Sequence, residues 1–157
     1  MAIPELRSVL AATDLSDFGN HVVPYAYAIT ARGGVVHLLH VIEPVMEPNP
    51  LYAHYEPINF PTPEERAREK ADLAARLRTL VPSNASALGI ETRPTITEAK
   101  DVAEAIRAEA ERVGAGAICL SSHGRTGIVK VVLGSIAQEV VSRSHRPVLV
   151  VRPQSKP

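Results

Sequence analysis

Residues 117–127 read Ala117-Ile118-Cys119-Leu120-Ser121-Ser122-His123-Gly124-Arg125-Thr126-Gly127, and Gly134-Ser135 follow after a short interval. The apolar residues at the start predict a buried strand, and the Gly-containing stretch behind it predicts a loop. The Gly-Ser pair predicts the start of the next helix. Free amide groups at such a loop and helix start, together with the helix dipole, attract an anion. Because the stretch is neither a Walker A loop nor a GxGxxG loop, it predicts a phosphate-binding turn of another kind.

Five short apolar runs predict the strands of the fold. They lie at residues 8–13, 35–41, 91–96, 117–121 and 148–151. Valine-rich runs with little alternation are typical of strands covered on both faces, and helical patterns separate them here. The sequence therefore predicts an α/β fold with an open, doubly wound, five-stranded parallel sheet and helices on both faces. A chain of 157 residues fits a single domain at residues 1–157.

Capping residues predict two of the helices. Thr62 and Glu65 predict a capping box at the start of a helix, and Pro82 marks its end. The apolar residues that recur at helical spacing within it are Ala67, Ala71, Ala74, Leu77 and Val81. A second cap at Asp101 starts a helix that Gly114 ends.

Two other helices have less regular patterns. Ser135 with Gln138 predicts a cap for the helix after the loop. The inner face of that helix would consist of Ile136, Val140 and Val141. The first helix should span residues 17–32, but it contains Pro24. Either the helix kinks there, or a separate turn covers residues 17–23 and the regular helix begins at Pro24.

Composition and charge exclude several classes of partner. The chain has 17 basic and 17 acidic residues. Nucleic acid and anionic membranes require a strong basic field, so neither is expected as a partner. The single cysteine, Cys119, lies in an apolar strand and is interpreted as a packing residue. Because no apolar stretch suits a signal peptide or a membrane span, a cytoplasmic protein is expected.

The longest predicted loop covers residues 43–61 and is rich in proline. A loop of this length in a compact domain usually has a function of its own. It would act as a lid over a ligand or as an arm that docks a partner. The alternative is an insertion that packs on the helix after it.

The predicted ligand site lies at the carboxyl ends of the first and fourth strands. In an open parallel sheet, ligands bind beyond these ends where the strand order reverses. The segments that meet there are Thr13-Asp14 and the loop at residues 121–127. Asp14 would accept hydrogen bonds from a ribose hydroxyl or an adenine amino group, or would instead cap the next turn. Gly124 and Gly134 would provide close backbone approach or a positive φ.

Basic side chains of the loop offer charge but no catalytic machinery. Arg125 and Lys130 would neutralise phosphate charge, and His123 would orient a phosphate or stabilise the loop. No Ser/His/Asp or Cys/His set and no pair of carboxylates stands out. The histidines lack metal-ligand spacing, so a metal would enter only as Mg²⁺ bound to a nucleotide.

Several motifs resemble those of the universal stress protein family over nearly the whole chain. The first two are Ala11-Ala12-Thr13-Asp14-Leu15-Ser16 and Leu39-His40-Val41-Ile42-Glu43-Pro44. The most specific begins Ser121-Ser122-His123-Gly124, continues at Gly134-Ser135-Ile136-Ala137 and closes with Arg146-Pro147-Val148-Leu149-Val150-Val151-Arg152. The resemblance implies a flavodoxin-like sheet, frequent dimerisation and, in one branch, binding of ATP or AMP.

That branch has a loop with Gly, two residues, Gly, nine residues and Gly-Ser or Gly-Thr. Gly124 and Gly134-Ser135 fit this form, but Ser121 stands in place of the first glycine. If that position requires a positive φ, the strain on a serine costs about 1–2 kcal/mol, roughly tenfold in affinity. If φ is ordinary, the serine hydrogen-bonds to the ligand or to water.

The resemblance also implies which residues bind the nucleotide. Asp14 would contact the adenosine moiety, and Val41 would offer backbone groups to adenine. The full set is Ala12, Thr13, Asp14, Val41, Ser121, Ser122, His123, Gly124, Arg125, Gly134 and Ser135. The ligand would be ATP or AMP, with any Mg²⁺ carried by the nucleotide.

The favoured hypothesis is an adenine-nucleotide-binding regulatory protein of the stress response that acts through ligand-dependent conformation or partner binding. A homodimer is expected through the apolar strand at residues 148–151, which would lie at a sheet edge. The alternative is an edge covered by the C-terminal tail. Two other functions stay open: a nucleotide-free dimeric interaction module with a decayed ATP site, and a slow ATPase.

Overall fold

The computed structural model of the chain describes residues 1–44, 51, 60–122 and 133–152. The strands are β1 (Ser8–Ala12), β2 (Val35–Ile42), β3 (Glu91–Glu98), β4 (Ala117–Ser121) and β5 (Val148–Val151). The helices are α1 (Asp17–Asn20), α2 (Val22–Ile29), α3 (Pro63–Thr79), α4 (Val102–Arg112) and α5 (Ser135–Arg143). Among the described residues, no helix has the length and apolarity needed to cross a membrane. Most of the proline-rich loop predicted at 43–61 lies outside the described residues.

All five strands pair in parallel, in the order β3-β2-β1-β4-β5. The predicted doubly wound sheet is therefore confirmed. The chain builds outward from β1 in one direction through β2 and β3, and then returns to the other side of β1 with β4 and β5. The strand order thus reverses between β1 and β4. Ala12 pairs with Leu120 there, so both strands end at the same edge, where ligands of such sheets bind.

Two hydrophobic layers cover the two faces of the sheet. One layer joins the sheet to α2 and α3, and its buried residues include Val9, Leu38, Val22 and Leu77. The other joins the sheet to α4 and α5, and its buried residues include Leu10, Leu39, Ile106 and Val140. Alternate residues of β1 and β2 therefore face opposite layers, which explains why these strands are apolar without alternation.

A break at His21 separates α1 from α2. Pro24 is the third residue of α2. Its missing N–H would have no intrahelical acceptor in the first turn, so proline does not disturb the helix. Of the two alternatives, the separate turn is confirmed, and the regular helix begins at Val22 rather than at Pro24.

The capping box predicted for α3 is present. Thr62 Oγ1 accepts the N–H of Glu65 at 3.1 Å, and a carboxylate oxygen of Glu65 accepts the N–H of Thr62 at 2.7 Å. Leu77 is the buried residue of this helix, whereas Ala67 and Ala71 are exposed. Because few side chains of α3 are buried, its start depends strongly on the cap.

We expect Thr62→Ala to lower the free energy of unfolding by about 1 kcal/mol, because the N–H of Glu65 loses its acceptor. Thr62→Ser keeps the oxygen and should differ from the original protein by less than about 0.5 kcal/mol. Urea unfolding followed by circular dichroism measures both values. Equal losses in the two variants would contradict the capping role.

The start of α5 differs from the prediction. Gly134, rather than Ser135, is the N-cap, and no side chain caps the helix. Ala137 and Val140 face the core. Ile136 and Val141, which were also predicted to face inward, are instead 43% and 44% exposed. The rotation of the helix is set by Ala137 and Val140, and it turns the other two apolar side chains outward.

The two edges of the sheet differ in their backbone groups. In β3, the amides of Glu91 and Ala99 donate to carbonyls on the β2 side, so the odd-numbered amides face β2. Pro94 therefore occupies an outward-facing position, where it removes a donor from the free edge without interrupting the ladder. The opposite edge strand, Val148–Val151, has the sequence VLVV and keeps its outward amides.

Cys119 lies in the centre of β4 and is fully buried. Burial raises the pKa of its thiol to about 12, because the thiolate would lose its hydration. We expect native protein at pH 8 to react with Ellman's reagent at least about a hundredfold more slowly than protein in urea. Fast labelling of the folded protein would contradict the assignment of Cys119 as a packing residue.

Candidate functional site

A cleft of about 940 Å³ lies at the carboxyl edge of the sheet. Its walls come from the ends of β1, β2 and β4 and from α3, α4 and α5. It gathers every predicted binding residue that the structure describes: Ala12, Thr13, Asp14, Val41, Ser121, Ser122, Gly134 and Ser135. The predicted His123, Gly124 and Arg125 lie outside the described residues.

Thr13 holds the turn that follows β1. Its N–H donates to the carbonyl of Leu39 at 3.0 Å. Its hydroxyl donates to Asn20 Oδ1 at 2.8 Å and accepts the N–H of Leu15 at 3.0 Å. Leu15 has a left-handed φ of 62°, which costs a leucine about 1–2 kcal/mol. The side chain of Thr13 is thus engaged within the turn, and it shapes the site.

Asp14 has the capping role that the sequence offered as one of two alternatives, and its second carboxylate oxygen stays available. Its Oδ1 accepts the N–H of Ser16 at 3.0 Å and the hydroxyl of Ser16 at 2.5 Å. The hydroxyl oxygen of Ser16 accepts the N–H of Gly19 and so caps α1. In the described part of the chain, no donor reaches the second carboxylate oxygen, Oδ2. One oxygen therefore holds the turn, and the other is available in the cleft.

Gly19 is required by this arrangement. It is buried, and a Cβ built on it would lie 2.1 Å from Asp14 Oδ1 and 3.1 Å from both Asp14 Cγ and Thr13 Oγ1. A side chain at position 19 would fit only if the Asp14 carboxylate moved away. The glycine thus lets α1 pass directly beneath the carboxylate of Asp14.

The backbone of Val41 faces the cleft. The carbonyl of Ile42 accepts the N–H of Ala99 on the β3 side, and the N–H of Val35 donates to Arg7 on the β1 side. Because backbone groups alternate along a parallel strand, the N–H and C=O of Val41 also point to the β1 side. β1 has ended at Ala12, so these two groups lie beyond the ladder, at the wall of the cleft.

The end of β4 and the start of α5 are joined by backbone hydrogen bonds. The N–H of Ser122 donates to Val151, and its carbonyl accepts the N–H of Gly134, both at 2.8 Å. The first intrahelical bond of α5 runs from Gln138 to Gly134. No acceptor among the described residues reaches the amides at positions 135–137. The start of α5 therefore presents to the cleft N–H groups that no described residue accepts, together with the positive end of a helix dipole.

The backbone conformation resolves two alternatives about the loop. Ser121 is the last residue of β4, and Leu15 is the only non-glycine residue with a positive φ in the described ranges. Ser121 thus has an ordinary φ, and the strain alternative does not apply to it. Gly134 has φ −60°, so the prediction of a positive φ there is wrong, and close backbone approach is the alternative left for this glycine.

Some residues of the cleft have no counterpart in the sequence prediction. α3 contributes Glu69, Leu73 and Arg76, which repeat at helical spacing. The spacing is visible in the sequence, but it does not reveal that this part of α3 faces the ligand side. β2 contributes His40, whose Nδ1 lies 2.9 Å from the carbonyl oxygen of Thr13. Within the described ranges, no group of three or more His, Cys, Asp and Glu could hold a metal ion.

Comparison with known proteins extends this description. The chain matches the profile of the universal stress protein family over residues 5–152. It is 42% identical over 43 residues to universal stress protein MJ0577 of Methanocaldococcus jannaschii, a stretch that spans 27% of this chain and about a quarter, 26%, of that protein. The solved structure of MJ0577 matches with a TM-score of 0.73 and 24% identity, over 98% of this chain and 100% of the other.

Two further solved structures share the fold. A universal stress protein in complex with cAMP matches with a TM-score of 0.58 and 20% identity, over 96% of this chain and 100% of the other. A universal stress protein from Arabidopsis thaliana with AMP bound matches with a TM-score of 0.58 and 15% identity, over 97% of this chain and 94% of the other. With the family profile matched over nearly its whole length, the chain belongs to the universal stress protein family.

Proposed function

We propose that this protein binds an adenine nucleotide, ATP or AMP, in the cleft and acts as a regulatory protein of the stress response. Binding would favour one conformation of the site or one partner. The main support is the division of hydrogen-bonding groups across the cleft. Acceptors lie on the β1–β2 side, where the nucleoside would donate. At α5 lie amides that no described residue accepts, where phosphates would accept.

Each part of the nucleotide has a matching group in the cleft. The N–H and C=O of Val41 offer one donor and one acceptor to the edge of adenine, which has the N6 amino group beside the N1 acceptor. Asp14 Oδ2 offers an acceptor to the adenosine moiety. The amides at the start of α5 favour a phosphate. cAMP and AMP, which are bound in two related structures, have the same division into a donor-bearing nucleoside and an anionic phosphate.

Mg²⁺ would enter this site with the nucleotide. Phosphate oxygens and water are the ligands that Mg²⁺ prefers, and nucleotide sites usually add only one or two carboxylates. The carboxylates of the cleft are Asp14, Glu43 and Glu69, and they belong to three different segments of the chain. The phosphates of ATP would therefore supply most of the coordination.

We also propose a cytoplasmic homodimer that forms through β5. This strand is apolar, lies at the sheet edge and keeps its outward amides. Such an edge pairs readily with a second copy of itself. The equal numbers of acidic and basic residues favour neither nucleic acid nor an anionic membrane as a partner.

The first test is mass spectrometry of the small molecules released when the purified protein is denatured, followed by calorimetric titration with ATP, AMP and GTP. We expect co-purified or titratable adenine nucleotide and weaker binding of GTP. The matched variant is Asp14→Asn, which keeps the shape and the Oδ1 acceptor but replaces Oδ2 by a donor. It should weaken ATP binding about three- to tenfold with unchanged stability. An empty protein that binds none of the nucleotides would overturn the proposal and favour a nucleotide-free interaction module.

A further inference from the structure

The turn after β1 determines which ring nitrogen of His40 bears the hydrogen. The ring lies at the carboxyl end of β2 and is 7% exposed. Its Nδ1 lies 2.9 Å from the carbonyl oxygen of Thr13. A carbonyl oxygen only accepts, so Nδ1 bears the hydrogen. In the neutral imidazole the other nitrogen, Nε2, is then an acceptor.

The acceptor Nε2 has access to the cleft. No group of the described residues hydrogen-bonds to it, and Arg107 Nε is the sole unpartnered side-chain nitrogen or oxygen that is completely enclosed in the described ranges. Nε2 is therefore not sealed inside the protein. His40 is one of the residues that line the cleft. From these two observations we infer that Nε2 faces the cleft.

We propose that His40 is a specificity-determining residue whose Nε2 accepts a hydrogen bond from the nucleoside of the bound nucleotide. This inference rests on the proposed function. His40 lies between the two groups assigned to the nucleoside. The backbone of the neighbouring Val41 faces the cleft. Nδ1 of His40 donates to the carbonyl of Thr13, the residue before Asp14. The donor is a ribose hydroxyl or the amino group of adenine, the two kinds of donor that adenosine presents.

The same ring also positions Asp14. The bond from Nδ1 to the Thr13 carbonyl ties the end of β2 to the turn that Asp14 and Ser16 complete. In β2 the N–H of Val41 would be the next donor to that carbonyl, if the ladder continued. The imidazole takes this place, so the N–H of Val41 is left for a ligand. His40 thus acts on the site through both of its nitrogens.

Two substitutions distinguish the contribution of Nδ1 from that of Nε2. In His40→Asn, the amide nitrogen replaces Nδ1 and keeps the bond to Thr13, but nothing reaches the place of Nε2. In His40→Gln, the longer amide places an acceptor near Nε2 and loses the bond to Thr13. Binding of ATP, 2′-deoxy-ATP, 3′-deoxy-ATP and purine riboside triphosphate is measured by calorimetry for the original protein and both variants. Urea unfolding of each variant measures its stability.

We expect the original protein to bind ATP about three- to tenfold more tightly than one of the three analogues, and His40→Asn to lose that preference at unchanged stability. His40→Gln should keep the preference and be less stable. Each analogue lacks one donor, so the analogue that binds more weakly identifies the donor as the 2′-hydroxyl, the 3′-hydroxyl or the amino group. The inference is overturned if the original protein binds ATP and its analogue preferences are the same in His40→Asn. Failure of the original protein to bind any nucleotide would instead overturn the proposed function.

Discussion

Replacement of Gly19 by alanine is expected to lower the free energy of unfolding by about 2–4 kcal/mol and to weaken ATP binding by about tenfold or more. The added Cβ would lie 2.1 Å from Asp14 Oδ1. The carboxylate must then rotate away and give up both hydrogen bonds to Ser16. The turn loses its cap, and Oδ2 loses its orientation in the cleft. Urea unfolding and calorimetry measure the two effects.

A double-mutant cycle with Asp14→Ala tests whether this contact is the cause. Asp14→Ala alone should cost about 1 kcal/mol, because the N–H of Ser16 loses an acceptor. In the double variant the clashing atoms are absent, and Thr13 Oγ1 at 3.1 Å is the tight neighbour that stays. The double variant should therefore be more stable than Gly19→Ala alone by about 1 kcal/mol or more. Additive costs would show that Gly19 acts through some other contact.

Val41→Pro is expected to abolish most of the nucleotide affinity, by about tenfold to a hundredfold, while the sheet stays folded. Proline removes the N–H that faces the cleft and places its ring there. The same N–H makes no contribution to the β2–β3 ladder, so the loss of stability should be small for a strand residue. Val41→Ala keeps the backbone and should bind ATP within about threefold of the original protein.

Ile42→Pro is the matched structural control. Its amide faces β3, as the bond from Ala99 to the carbonyl of the same residue shows. Proline at this position breaks the ladder and should cost about 3 kcal/mol or more. Greater stability of Ile42→Pro than of Val41→Pro would contradict the assignment of the Val41 backbone to the cleft. Unchanged ATP binding in Val41→Pro would remove Val41 from the site.

Much of the fold follows from local patterns. The apolar runs at β1, β2 and β4 predict buried parallel strands, and the rule for strand-order reversal brings Asp14 and Ser121 to one edge. Thr62 and Asp101 predict helix starts because each side chain accepts the backbone N–H of the residue three positions later. These features depend on neighbours in sequence or on one topological rule, so they can be predicted from the chain alone.

Other features depend on contacts that the sequence does not display. The requirement for Gly19 comes from the carboxylate that folds over it, and the orientation of the His40 ring comes from a carbonyl in the turn after β1. The inward face of α5 is the one that buries Ala137 and Val140 in the core. For this reason Ile136, although apolar, is exposed at the cleft. Contacts that form only in the folded chain decide each of these cases.

In the proposed dimer, Pro94 would also limit how many copies of the chain join through their sheets. A protein with two receptive flanks could add copies without end, as fibrils do. Here the β3 edge lacks a backbone donor at Pro94, and the β5 edge of each copy can pair with one other copy. In the proposed dimer, growth through β5 would stop at a closed pair related by two-fold symmetry. A proline at one edge of the sheet would then keep a protein that pairs through its other edge from polymerising.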